Sequence, residues 1–345
     1  MWQLYANTGA GSDAPTYRAI AHMVAGDEEL LDVVRATPLD AHHPNHLFAA
    51  ARFLMLGGLE HPLAAAYESG STDEACSQFR AFVRQHRAAL IEVLQTRRVQ
   101  TNEVGRAGVI APALAHARRQ VDVPLALVEV GASAGLNLLV DLCAVDYGAF
   151  STGETDSPLQ LSCDCVTVPP QFSMSDLEID WRMGLDRSPI HADNEADSRW
   201  LLSCVWVDQP ERMERLATAL AMARATPSPL VAGDAVTALT GVVTQVPDHL
   251  HLVVLTSWVA FYLSREQRLA FEEALAGAAR PITWISLEHP GVVRDLDLSQ
   301  PPIDQDIAAS VIAAVSFDGG AAVSREVLGW AHPHGRWLDW RAGSS

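Results

Sequence analysis

The chain has 345 residues, 49% apolar and 19% charged, with a formal net charge of −18. Such a chain can bury one large core, or a core plus a helical attachment, and is not collagen-like, disordered or a disulfide scaffold. The negative charge argues against nucleic acid or an acidic membrane as the main ligand, since phosphate binding draws on basic clusters, and a small-molecule substrate is expected instead.

All 24 basic residues are arginine. Without lysine there is no P-loop lysine, no Schiff base and no lysine general base. The five cysteines, Cys76, Cys143, Cys163, Cys165 and Cys204, are odd in number and irregularly spaced, which reads as reduced thiols and a cytoplasmic location. The opening MWQLYANTGAGSDAPTYR lacks a basic stretch followed by an apolar one, and no apolar run approaches the ~18 residues of a membrane span.

Residues 1–120 read as a helical N-terminal cap region. Segments such as YRAIAHMVAGDEELLDVVRAT, HLFAAARFLMLGGL and DEACSQFRAFVRQHRAALIEVLQTRR carry apolar residues at three- and four-residue spacing, broken by Pro and Gly. Within this region HHPNH (His42, His43, His46) offers ring nitrogens but has only Asp40 nearby, so it reads as a solvated loop and no metal is expected. TNEVGRAG brings Asn102, Glu103 and Arg106 within about one helical turn. Two readings stand there: an i, i+3 surface ion pair, or a ligand clamp that includes Asn102 and Arg106.

From residue 121 to 345 short runs of Val, Leu and Ile alternate with amphipathic stretches, as a mostly parallel sheet with crossover helices requires. Strands are predicted near Ala126–Val130, Leu159–Cys163, Leu177–Gly184, Leu230–Ala232, Leu252–Leu255 and Ile282–Ser286, with helices over Gln209–Ala223, Val236–Gln245 and Ser264–Ala279. Ser151–Ser157 and Ser299–Asp306 read as loops. The tail from Ala309 to Trp340, with its Gly-Gly turn and alternating residues, predicts a terminal antiparallel hairpin. Cys163-x-Cys165 places two thiols on one strand face, a weak metal signal without further ligands.

PLALVEVGASAGLNLLVDL, Pro124 to Leu142, passes from a strand through a glycine turn into a predicted helix. Gly131-Ala132-Ser133-Ala134-Gly135 fits two chemistries: an elbow presenting Ser133 as a nucleophile, or a small-residue turn approached by a nucleotide-like ligand. An elbow follows earlier strands that supply an oxyanion loop, and upstream of Val123 the pattern is helical. Glu129, an acid on an otherwise apolar strand, needs a partner that donates hydrogen bonds or carries positive charge. The dinucleotide G-x-G-x-x-G is absent.

Strand, acid, x, Gly-x-x-x-Gly resembles the first motif of class I S-adenosylmethionine-dependent methyltransferases, departing from the usual pattern at Ser133. The resemblance implies α/β architecture with a Rossmann-like methyltransferase sheet, S-adenosylmethionine as cofactor, and a small-molecule acceptor. It implies that Glu129, Gly131, Ala132, Ser133, Gly135 and Asn137 surround the methionine and ribose part. Asp186 in WRMGLDRSPI, with Asp164 as the alternative, would take the ribose, Asp234 and Ala235 in VAGDA the adenine, and Ser257 the loop after the fourth strand. Some 57 residues separate Glu129 from Asp186, so an insertion around Ser151–Ser175 is expected. His289 and His334 are the general-base candidates, with Tyr262 as a further catalytic candidate. Two alternatives remain open: a serine hydrolase using Ser133, and a non-catalytic nucleoside-binding protein. The stretches TRRVQTNEVGRAG, VEVGASAGLNLLVD, WRMGLDRSPI, VWVDQPERMERL, VAGDA and HPHGRWLDW also resemble a bacterial family of unknown function, number 2332.

Overall fold

The computed structural model describes residues 1–9, 14–39, 42–293 and 309–343, and the predicted loop Ser299–Asp306 and Asp40 lie outside them. The chain is a mixed α/β protein with a large, mostly parallel sheet. It divides into two compact units: a helical one formed by residues 1–101 and 191–217, and a sheet unit formed by 102–190 and 218–345.

In the helical unit, boundaries fall where local chemistry stops a helix. YRAIAHMVAGDEELLDVVRAT splits into Pro15–Ala25 and Glu28–Arg35, because Asp27 accepts the Leu30 N–H as an N-cap. Ser71 caps Thr72–Gln85 and Asn194 caps Glu195–Ser203 in the same way. The apolar stripes of these helices bury Tyr17, Ile20, Leu47, Phe48, Phe79, Phe82, Leu90 and Trp200 together. HHPNH has structural roles: His42 Nε2 meets the Thr37 carbonyl, His43 Nδ1 caps Pro44–Leu56, and His46 is buried edge-on to Trp200.

In the sheet unit, the helix Ala107–Arg118 precedes β1 (Leu125–Val130), which is buried along its whole length. Next come β2 (Ala144–Asp146), β3 (Ser151–Thr152) and β4 (Gln160–Ser162), which form a separate three-stranded sheet. This small sheet occupies the expected insertion, and Ser151–Thr152 is strand where a loop was predicted. Then follow β5 (Asp164–Thr167), β6 (Ile179–Asp186), β7 (Leu230–Ala232), β8 (His251–Ser257) and β9 (Ile282–Glu288). The chain closes with β10 (Ser310–Asp318), β11 (Ala321–Ala331) and β12 (Trp337–Trp340).

The large sheet runs β5-β12-β11-β10-β9-β8-β1-β6-β7. Its five members β7, β6, β1, β8 and β9 are mutually parallel, whereas β10, β11 and β12 pair antiparallel. One face of the parallel part packs Val128, Val130, Leu252 and Val254 against Leu239, Val242, Phe271 and Leu275 of helices Leu239–Val243 and Arg265–Ala276. After β1 the chain steps to β6 and β7 on one side and later returns to β8 on the other. The connections that leave β1 and β8 therefore run to opposite sides of the sheet, the point where open α/β sheets form a ligand crevice.

The predicted helix after Gly135 is absent. Leu136–Leu142 is a 3-10 segment with a non-helical break at Leu139. A competing donor explains this: Arg182 Nη1 donates to the Leu138 carbonyl, the group that an α-helix would give to residue 142, and the guanidinium also grips Asp141 at 2.9 and 3.0 Å. No helix among the described residues is long and apolar enough to cross a membrane.

Candidate functional site

Side chains at the C-terminal ends of β1, β6, β7 and β8 hold the residues that the sequence singles out. Glu129 is the penultimate residue of β1, paired in register with Gly184 of β6 and Leu255 of β8. It is 1% exposed, and Asn137 Nδ2 donates to its Oε1 at 2.7 Å. Its Oε2 and the Asn137 Oδ1 are buried with no hydrogen-bond partner among the described residues. Burial pushes the Glu129 carboxyl up to about 8, against the lowering effects of Asn137 and of Arg106.

The turn beyond β1 is left-handed at three residues, Gly131 (φ 75°), Ser133 (φ 51°) and Gly135 (φ 67°). Glycine suits the first because a side chain there would overlap Val259 of the loop after β8. Asp186 at the end of β6 ties the turn down. Its Oδ2 accepts the Ser133 N–H and its Oδ1 the Ser188 N–H, both at 2.8 Å. Asp164, by contrast, lies on β5, paired in register with Trp337 of β12. Asn102 holds the other side of the turn, its Oδ1 accepting the Ala134 and Leu136 N–H groups at 3.2 and 3.0 Å. Asn102→Ala would strand both buried donors, so the loss expected in urea denaturation is roughly 2–4 kcal/mol. An unchanged midpoint would remove Asn102 from its role in the turn.

The NEVGR segment is a hub, and Glu103 and Arg106 do not simply face each other as a surface pair. Arg106 is buried, donating through Nε to the Pro333 carbonyl at 2.8 Å and through Nη1 to the carbonyl and hydroxyl of Ser257 at 3.2 and 3.1 Å. Glu103 Oε2 stands 3.2 Å from His334 Nδ1. Two glycines permit this approach: a side chain on Gly335 (φ 73°) would overlap the Gly105 carbonyl, and one on Gly105 would meet the His334 carbonyl at 2.5 Å.

The loop after β8 is a second strained segment, with Trp258 left-handed at φ 59°. Glu288, the last residue of β9, accepts the Val259 and Ala260 N–H groups through Oε1 at 2.9 and 3.1 Å, and burial raises its carboxyl above the ordinary range. Sequence reasoning missed Glu288 and Val259. The signal for Glu288 was present, since ITWISLE ends an apolar strand on an acid just as LALVEV carries one near its end.

Asp234 and Ala235 follow β7. Asp234 Oδ1 accepts the Val236 and Thr237 N–H groups and Oδ2 pairs with Arg187 at 2.6 Å, while Ala235 packs against the core. Among the catalytic candidates, Tyr262 is 80% exposed. His289 accepts the Gly291 N–H on Nδ1 and sits with its ring 6.1 Å from Trp258. That acceptor role leaves the neutral ring's proton on Nε2, making His289 a donor at its outer nitrogen. Among the described residues no group of three or more His, Cys, Asp or Glu is arranged to hold a metal.

Together these features define an α/β protein with a buried, acid-lined turn at the reversal point of a largely parallel sheet. The chain belongs to the family described as an uncharacterized protein conserved in bacteria (DUF2332), whose model matches residues 1–340. No curated protein matches it.

Proposed function

We propose that the sheet unit binds S-adenosylmethionine and transfers its methyl group to a small-molecule acceptor. The observation that carries this reading is Glu129: a sealed carboxyl group with one oxygen unpartnered among the described residues, beside a left-handed turn at the end of β1 where the chain order of the sheet reverses. Such a group calls for a ligand that is cationic or rich in donors. The order of the parallel strands, 3-2-1-4-5 counted within that set, is the order of doubly wound nucleotide-binding sheets and supports a Rossmann-like methyltransferase assignment.

The residues fit such a nucleoside at Glu129 and Asn137, whose spare oxygens complement an ammonium or sulfonium group. Asp186 spends one backbone N–H on each oxygen, leaving lone pairs for ribose hydroxyls. Asp234 would take the adenine amine in competition with Arg187. Gly131 serves the turn and Val259, and a ligand reaching Glu129 displaces protein atoms, because Glu129 and Asn137 are 1% and 2% exposed. When bound, the cofactor supplies a methyl group already activated on sulfur. The chain's own part is to hold the acceptor in line, exclude water and accept a proton from it.

The left-handed φ of Ser133 is shared by a nucleophile elbow, but the N–H that an elbow aims at the oxyanion, that of Ala134, is donated to Asn102. The test is thermal unfolding with S-adenosylmethionine, S-adenosylhomocysteine and NAD, for the parent and Ser133→Gly. Ligand at ~100 times its dissociation constant adds roughly 2.7 kcal/mol. Ser133→Gly is expected to keep this response and to gain about 1 kcal/mol of stability from relief of the left-handed backbone. No response to either sulfur nucleoside at millimolar concentration overturns the reading, and labelling by a fluorophosphonate that Ser133→Gly abolishes would replace it with the hydrolase.

A further inference from the structure

The helical unit holds one arginine in place without supplying it with an anion. Arg199 lies in the middle of the helix Glu195–Ser203, which meets the helix Pro44–Leu56 through Trp200, edge-on to Phe53 with ring centroids 5.6 Å apart. Its guanidinium carbon stands 4.5 Å from the centroid of the Phe53 ring, inside the range at which a cation is drawn to an aromatic face. Gly57 leaves room for it. A side-chain carbon at Gly57 would come within 3.2 Å of the guanidinium carbon and of Nη1.

Packing alone fixes this guanidinium. Among the described residues Arg199 has no ion pair and no hydrogen bond, and its Nε is buried without a partner. Acids are not scarce, since Asp and Glu number 42 against 24 arginines. Glu195 lies four residues earlier on the same helix, the spacing at which an acid reaches an arginine, yet it is exposed and does not pair with Arg199. Asp197 is spent elsewhere. Its Oδ1 takes Arg97 Nη1 at 2.6 Å, and the Arg97 guanidinium carbon is itself 5.5 Å from the Phe53 centroid. One ring therefore carries two guanidiniums, and only one of them has a carboxylate.

We propose that Arg199 is a binding site for a small oxyanion, the carboxylate or phosphate group of a ligand, received end-on by Nη1 and Nη2. These nitrogens belong to a partly exposed side chain and present two parallel N–H donors, the geometry that grips both oxygens of such a group. Stacking on Phe53 has already removed rotamer freedom that a solvated arginine gives up on binding, so the donor pair is pre-organised. All of these residues belong to the helical unit. The site does not depend on the transfer reading above and stands or falls without it.

The test uses the full chain, nitrogen-15 labelled, with sodium acetate and sodium phosphate as probes at pH 6 and ionic strength held constant with sodium chloride. The Nε–Hε signal of Arg199, assigned by its loss in Arg199→Lys or Arg199→Gln, reports on the guanidinium directly. The expected result is a saturable shift with one probe or both, at concentrations roughly ten-fold or more below those that move the signals of the exposed Arg18 and Arg265. Saturation by acetate alone assigns a carboxylate, and saturation by phosphate alone a phosphate. Gly57→Ala keeps the charge but presses on the guanidinium, and is expected to weaken binding several-fold. A shift that never saturates, or one that Arg18 and Arg265 share at the same concentrations, overturns the site. That result is read on the parent chain, so it holds even if Gly57→Ala folds poorly.

Discussion

Gly335→Ala is expected to lower stability by several kcal/mol, on the order of 4. Two costs combine. The residue is left-handed at φ 73°, which alone disfavours a side chain by about 1–2 kcal/mol, and the added carbon overlaps the Gly105 carbonyl and approaches the Arg106 nitrogen at 2.9 Å. Backbone atoms cannot swing aside as a flexible side chain would, so the NEVGR segment must retreat, and with it the bonds from Arg106 to Pro333 and Ser257. Gly320→Ala is the control: it is also left-handed, at φ 89°, but nothing lies within 4 Å of its added carbon. Chemical denaturation of both variants decides the matter, and equal losses would mean that the close approach of the two segments is not maintained in solution.

Glu129→Gln is expected to move stability and binding in opposite directions. The carboxyl rises from 4.5 in the unfolded chain to about 8 when folded. Between those values the folded state holds a proton that the unfolded state has released, so stability falls as pH rises, by up to roughly 1.4 kcal/mol per pH unit. This contribution is fully present below pH 4.5 and is lost as pH passes through 8. The amide can still accept from Asn137 but does not titrate, so the variant should melt higher than the parent at pH 8 and no higher at pH 4.5. Its affinity for S-adenosylmethionine at pH 8 should fall by ten-fold or more, the equivalent of about 1.4 kcal/mol. A variant that melts like the parent at pH 8 would show that Glu129 ionises without penalty, and unchanged affinity would remove it from the ligand site.

What could be read from the sequence follows the range of the physical signal. β7 was predicted over the residues it occupies, and β1, β8 and β9 within a few residues, because each is a short apolar run between breakers. Glu129 announced itself through the cost of an acid on such a run. The role of Asn102–Arg106 did not, because i, i+3 spacing describes a local pair, whereas its partners Ala134, Ser257 and His334 are set by sheet topology. The missing helix after Gly135 has the same origin. LNLLVDL has no local helix breaker, and the Arg182 donor that takes the Leu138 carbonyl comes from a strand 44 residues further on. At Asp234 the resemblance implied an adenine contact, whereas the structure gives both oxygens protein donors, the Val236 N–H and Arg187.

The discontinuity of the helical unit gives its assembly an order in time. Trp200, one of its largest fully buried side chains, donates through Nε1 to the Arg98 carbonyl at 2.7 Å, and Asp197 pairs with Arg97 at 2.6 Å. A nascent chain that has emerged only to residue 101 therefore lacks part of its own core. The 89 residues from 102 to 190 must be translated before the remainder arrives, an interval of roughly 4–18 s at ordinary elongation rates. For that time the surface that receives Trp200 is open to chaperones and proteases, and early termination anywhere in the first two parallel strands of the sheet leaves a fragment whose helices cannot close.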